Sequence, residues 1–355
     1  MIPTRTSPVQ VAVSRGLLRT ARWSLRYDTR ALLVCLGLGA LAVCTTVLAI
    51  GTGTYELSPP EVVRTLAGNG PPGAEFVVLD LRLPRALTAV LVGFAMGMAG
   101  GVFQSLIRNP LGSPDITGFG NGASAGALVA IILFDAGAPQ TALGAVCGGF
   151  ATAVAVYLLA WKQGVHGYRL ILVGIGASAV LGSATSFLYV RADIGKAAQA
   201  ASWLIGSLNS RGWSDVRTVG IGLAVLVPVV IGYGRRLTLL ELGDDTAAAL
   251  GVPPERSRLV LLCAGTGLTA MAVAAAGPIP FVALAAPQLA RRATRAAGPN
   301  VLPAAWTGAL LVSTADLATQ RVTGSALLPV GVVTGVAGGL YLAWLLRRER
   351  RGARL

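Results

Sequence analysis

Few side chains in this sequence are placed to do chemistry of their own. Asp316 is the one ionisable residue inside an apolar run, near the end of Val301–Gln320. A carboxylate in hydrocarbon is the group that a proton or cation relay needs. A relay also needs a second ionisable group in another apolar run, and none is present, so Asp316 is expected to accept hydrogen bonds from neighbouring helices. The single histidine, His166, lies beside Lys162 and Arg169 in a short polar connection and reads as a solvated residue. Cys35, Cys44, Cys147 and Cys263 all fall within apolar runs without metal-ligand spacing, which suits small packed residues better than disulfides or ligands. The chain carries no GxxxxGK[ST] phosphate loop, no HExxH and no nucleophile paired with a base. No catalytic residue, metal site or bound cofactor is therefore assigned, and energy for any work is expected from a partner or an ion gradient.

The longest polar stretch on its side of the chain is Leu237–Arg258, LTLLELGDDTAAALGVPPERSR. Asp244 and Asp245 precede an alanine-rich run that stops at Gly251, and Pro253–Pro254 follow. That is the punctuation of a short helix: an acidic N-cap, a glycine for the left-handed C′ position, and prolines that cannot continue it. Two turns of helix are unstable alone in water and need a surface to lie against. The segment reads either as a docking element for a soluble partner or as a capped helix packed on its own protein.

The elements that must carry this loop are apolar. Hydrophobic residues make up 54% of the 355 and charged residues 12%, which places the chain among polytopic membrane proteins. A spanning helix takes roughly 20 apolar residues. Ala31–Thr52, Ala86–Ile107, Ile116–Phe134, Ala136–Trp161, Leu170–Val190, Thr218–Gly234, Val301–Gln320 and Leu328–Leu346 fit that length. Leu259–Ala290 is too long for one crossing and is broken by Gly277–Pro278–Ile279–Pro280, so it divides into a helix and a short second one. The expectation is an all-α protein of about ten transmembrane helices over 31–346, preceded by a segment 1–30 and followed by a basic tail 347–355. Glycines four apart at Gly93, Gly97 and Gly101, at Gly118, Gly122 and Gly126, and at Gly331, Gly335 and Gly339 predict close backbone contact between helices.

The net charge of +14 does not point to nucleic acid, because its distribution follows the membrane. With ten crossings both termini lie on one side, and 21 of the 29 basic residues fall on that side against 8 on the other. The positive-inside bias puts the termini and the Leu237–Arg258 loop in the cytoplasm. Arg15, Arg19, Arg22, Arg26 and Arg30 recur at helical spacing, which predicts an amphipathic helix on the anionic lipids of the inner leaflet.

Five stretches in order carry a resemblance: LRLPR at Leu81–Arg85, RNPLGSPDITGF at Arg108–Phe119, LGDDTAAALGV at Leu242–Val252, GPIPFVALAAPQLARR at Gly277–Arg292 and LPVGVVTG at Leu328–Gly335. Together they resemble the FecCD family of binding-protein-dependent ABC importer permeases, which move ferric siderophores, haem or cobalamin, and the likeness spans about Ala31 to Arg348. The resemblance implies a type II ABC importer permease fold in a bacterial plasma membrane, with two permease subunits, identical or paralogous, around a central pathway. Two ATP-binding cassette subunits would hold the ATP and Mg, and a periplasmic or lipoprotein siderophore-binding protein would deliver cargo. By position the coupling helix is Asp244, Asp245, Thr246, Ala247, Ala248 and onward to Leu250, flanked by Gly243 and Gly251. Arg82 and Arg85 match the basic positions that meet the binding protein, with Arg321 behind them; anchoring at lipid headgroups is the alternative for the first two.

This chain departs from the family pattern where Ala326 and Leu327 replace an acid before LPVG, and where Gln288 replaces a frequent histidine, so Gln288 receives no ligand role. The end of the last helix lacks the common APFF pattern, and no gate residue is carried over to it. Gln104, Asn109, Asn121 and Ser124 are the polar candidates for a pathway lined by small residues, one that passes a bulky ligand by weak, dispersed contacts. The APQLARR stretch resembles ferric-enterobactin-type permeases, which favours a catecholate siderophore over haem or cobalamin. A gradient-driven secondary transporter is the alternative from another class; a non-transporting receptor would need neither the inner loop nor the glycine ladders.

Overall fold

The structure is a computed structural model that describes residues 15–19, 24–161, 167–322 and 328–352. Apart from a hairpin of β1 (Arg15–Arg19) and β2 (Ser24–Asp28), its regular elements are helical. Thr29–Gly51 is α1, Pro59–Leu66 is α2 and Leu83–Ile107 is α3, the last entered through a π-helical turn at Phe76–Arg82. Phe119–Phe134 (α4), Ala138–Ala160 (α5), Gly167–Arg191 (α6), Ile194–Leu204 (α7) and Trp213–Gly232 (α8) follow. Gly234–Glu241 (α9), Asp244–Ala249 (α10), Pro254–Ala276 (α11), Val282–Thr294 (α12), Val301–Val322 (α13) and Val330–Gly352 (α14) complete the chain. In hydrocarbon a backbone must satisfy its own hydrogen bonds, and uninterrupted apolar runs do so as helices. Proline falls in the first turn of α5 and α11, where its missing N–H is no loss.

Among the described residues seven helices are long and apolar enough to cross a membrane, and Phe119–Phe134 and Val330–Trp344 are shorter apolar ones. The tenth expected segment, α12, has only 13 residues, the second half of the run broken at Gly277–Pro280. At 1.5 Å per residue it is about 20 Å long and reaches only part of the way across. The helices sort into a centre and a perimeter. The apolar windows of α3 and α11 are each 78% buried, whereas those of α1, α5, α6 and α8 are 11–22% buried and present leucines, valines and isoleucines outward, as a lipid-facing ring does.

Glycine closes the central seams. A Cβ on Gly93 would collide with the carbonyl of Gly308, one on Gly97 with that of Ala304, and one on Gly308 with that of Gly93, so α3 and α13 meet backbone to backbone. The second ladder does the same for α4 and α5, where Gly122 and Gly126 face Gly148 and Gly144. The third closes only in part: Gly331 abuts the Ile205 carbonyl and Gly335 lies in ordinary contact range of Pro280, but no atom comes within 4 Å of a Cβ on Gly339. Two of the three expected seams therefore close within the chain.

Three expectations change. The segment before α1 pairs as strands, Leu18 opposite Leu25 and Arg15 opposite Asp28, in place of an amphipathic helix. A short helix without a packing surface is marginal, and strand pairing satisfies the same backbone groups; Asp28 then caps α1 by accepting from the N–H groups of Arg30 and Ala31. The long inner loop is shorter than its composition suggests, because Leu237–Glu241 belongs to α9 and α11 begins at Pro254. Leu237 and Leu240, three apart, are buried and hold α9 to the core. Two helices were not expected. One is α7; the other is α2, started by a capping box in which Glu61 accepts from the hydroxyl and N–H of Ser58, bonds that hold its carboxyl below the usual range. His166, Lys162, Ala326 and Leu327 lie outside the described residues.

Candidate functional site

The loop between α9 and α11 is folded back on the body by charge. Asp244 divides its two carboxylate oxygens between Arg108, at the end of α3, and Arg258, in the first turns of α11, the latter at 2.7 Å. Arg258 also holds Glu255 at 2.7 Å. Glu241, at the end of α9, accepts from Arg291 of α12 at 3.2 Å. Asp244 thus does not act as the helix cap expected of it. The N-cap is Gly243, at φ 117°, a backbone conformation that a side chain would strain.

The far end of α10 follows expectation. Gly251 has φ 78°, its N–H donates to the Ala248 carbonyl, and the N–H of Val252 donates to that of Ala247. This pair of bonds is a Schellman motif, closed by Val252 and Ala247 both packing on the main core. Ala247 is the buried residue of α10, while Asp245, Thr246, Ala248, Ala249 and Leu250 are exposed, together with Leu242 just before it. Two large exposed leucines thus flank a short, tightly pinned helix.

At the opposite end the arginines are mostly engaged. Arg85 grips Asp316 through Nε and Nη2, at 3.1 and 2.7 Å, and Gln320 donates to the same carboxylate at 2.8 Å. The Asp316 side chain is fully buried, so the acid is a structural acceptor as expected, but its main partner is a charge rather than neutral helix groups. Arg82 donates to the Ile50 carbonyl at 2.7 Å and lies flat over Gly53, placing a cation on the last turn of α1. Only Arg321 of the three is exposed; it lines a cavity of about 770 Å³ with Gln320, Glu56 and other residues of the 47–59 segment.

The four pathway candidates separate. Asn121 and Ser124 line one cavity of about 450 Å³ with Gly182 and Thr185 of α6, Pro278 and Pro280 of the α11–α12 break, and Gly331 of α14. Gln104 is buried at the α3–α12 contact, donating to the Leu284 carbonyl, and Asn109 folds its side chain onto the N–H of Leu111. Neither is among the residues lining that cavity, and α3, expected beside the pathway, is the buried centre of the bundle.

Two tertiary contacts escaped the sequence reading. Asp115 accepts from the backbone N–H of Phe281, the residue at φ 67° that starts α12. It stands one residue before an expected span and so was not counted as intramembrane. Gln288 donates to the Pro110 carbonyl at 2.9 Å and accepts from the Tyr341 hydroxyl at 3.3 Å, while Arg292, one turn on, stacks against Tyr341 and Trp344. Gln288 therefore joins the loop after α3 to α14, a role visible only once α12 and α14 are placed.

A half-spanning helix after a Gly-Pro break, glycine-sealed central helices and a short pinned helix in one polar loop define a polytopic permease of the type II ABC importer class. Residues 41–348 match the model of the FecCD transport family, and the chain belongs to that family. It is 43% identical to the ferric enterobactin transport system permease protein of Escherichia coli (strain K12), over 91% of this chain and 98% of that one. It is 35% identical to the hemin transport system permease protein of Yersinia pestis, over 88% and 96%. A solved structure described as an inward-facing conformation of a metal-chelate type ABC transporter superposes with a TM-score of 0.80 at 29% identity, covering 89% of this chain and 99% of that one.

Proposed function

We propose that this permease carries ferric siderophores, with catecholates of the enterobactin kind favoured, inward across a bacterial plasma membrane. The observation that carries the reading is the 43% identity to the ferric enterobactin permease along nearly the full length of both chains. The uncharged lining of the 450 Å³ cavity, in which an amide, two hydroxyls and two glycines stand among leucine, isoleucine, valine and proline, agrees with it, since dispersed contacts let a bulky chelate pass without a deep site. In this reading Asp244–Leu250, which is α10 with its C-cap, docks on one of two ATP-binding subunits in the cytoplasm, where both termini also lie. ATP and Mg are held there. A siderophore-binding protein lands at the opposite end, near Arg321, and a second permease subunit, identical or paralogous, completes the pathway.

Disrupting the chain is expected to abolish uptake of radiolabelled iron bound to a catecholate siderophore under iron limitation, while haem and cobalamin uptake continue. The relative from Yersinia pestis makes haem the second reading. Loss of haem uptake with siderophore uptake retained would select it.

A further inference from the structure

The acids of the inner loop are of two kinds. Asp245 is exposed and, among the described residues, has no ion pair, whereas Asp244 and Glu241 turn inward onto arginines at the ends of three different helices. We propose that Asp244 is the positioning residue through which α10 grips the permease body, the Arg108–Asp244–Arg258 bridge passing the displacement of α10 to α3 and α11 together. The inference rests on the reading of α10 as the docking element for an ATP-binding subunit.

The argument is geometric. Because the two oxygens of one carboxylate are divided between Arg108 and Arg258, a shift of α10 that keeps both contacts carries the ends of α3 and α11 with it. These are the two most enclosed spanning helices, and a close-packed interior transmits displacement instead of absorbing it. Arg258 has 5% of its side chain exposed and is held by both Asp244 and Glu255, so the α11 side of the bridge is fixed. The Arg108 and Asp244 side chains are 42% and 38% exposed, so the α3 side can open to water and re-form. What is most open to a partner is a different set of atoms: Leu242, Asp245, Thr246, Ala248, Ala249 and Leu250. Asp244 therefore works toward the permease and not across the interface.

The test uses the whole transporter, reconstituted with its ATP-binding subunits and binding protein, and reads transport per ATP hydrolysed. Asp244→Asn is expected to assemble with the ATP-binding subunits and to lower that ratio at least about fivefold. Arg108→Gln should do the same; it leaves the buried Arg258 with both its acids, so it reports even where Asp244→Asn destabilises the chain. An unchanged ratio in Arg108→Gln overturns the proposal. So does loss of ATP-binding subunits from Asp244→Asn at full permease expression, because Asp244 would then be a partner contact. Leu250→Arg tests the underlying reading separately: it should release the ATP-binding subunits, and if they stay bound the docking role of α10 fails together with the transmission built on it.

Discussion

Helix α3 has an ion pair at each end, and the two are built differently. At the outer end Arg85 and Asp316 are joined by a two-nitrogen grip, with the acid fully buried and the arginine side chain 20% exposed. At the inner end Arg108 and Asp244 meet with both side chains about two-fifths open to solvent. Opening the outer pair would strand a charge in a low-dielectric interior, whereas the inner pair exchanges its partner for water at little cost. One helix therefore carries a fixed anchor at one end and a releasable contact at the other. Under the proposed coupling, that asymmetry lets α3 respond to a partner while keeping its place in the bundle, with the glycine seam against α13 as the rigid section between.

The largest effect should come from removing the anchor's acid. Asp316→Ala leaves Arg85, four-fifths covered, without its partner, and breaking a buried pair from one side destabilises by up to about 3–5 kcal/mol. Thermal unfolding of the purified permease measures this. Replacing the pair with apolar residues of similar volume, Arg85→Met with Asp316→Leu, should recover most of the loss, since such replacements are often neutral. If the single variant is as stable as the parent, the outer end is no anchor.

A smaller effect separates the inner pair. Arg108→Gln should change stability by less than about 1 kcal/mol, in the range of exposed ion pairs, although it reduces coupling. A loss of stability as great as that from Asp316→Ala would erase the contrast between the two ends. Raising salt should weaken the inner contact and leave the outer one, because screening reaches solvent-exposed charges first.

The difference between the ends also marks what could be read from the chain alone. Features written in neighbouring residues were legible: Gly251 in a left-handed C′ position and the proline break before α12 each need only a few consecutive residues, and the structure bears them out. Pairings across the chain were not. Arg85 and Asp316 are 231 positions apart, and no local pattern marks an arginine at a helix start as the partner of a distant acid. Polar composition concealed α9, whose two buried leucines sit among arginines and a glutamate. At the N-terminal segment arginine spacing alone suggested a helix, and period alone could not reject a hairpin. The pathway was drawn past both Gln104 on α3 and Asn121 and Ser124 on α4 because small residues surround them; the small residues of α3 face α13 and α12, and of these candidates Asn121 and Ser124 line the cavity.

The same asymmetry sets the smallest prediction, at the outer mouth. Arg82 and Arg85 were placed first for docking because their motif matched, but Arg82 is held on the end of α1 and Arg85 on Asp316, so neither offers a free charge. Arg321, one residue past Gln320 and five past Asp316, projects from the exposed end of α13. Charge at an interface rim acts mainly on the rate of encounter and on its salt dependence. Arg321→Glu should therefore leave the thermal stability of the permease within about 0.5 kcal/mol, as exposed substitutions do. Its association with the binding protein should be slower, with a flatter dependence on ionic strength. Arg82→Glu should instead destabilise the permease, because the C-terminal turn of α1 would lose its donor and face a like charge. Stopped-flow association at several salt concentrations, alongside unfolding of each variant, separates the two outcomes. If Arg82→Glu slows association while the fold is unchanged and Arg321→Glu does neither, the motif match outweighs the exposure, and the outer end of α3 is a docking surface as well as an anchor.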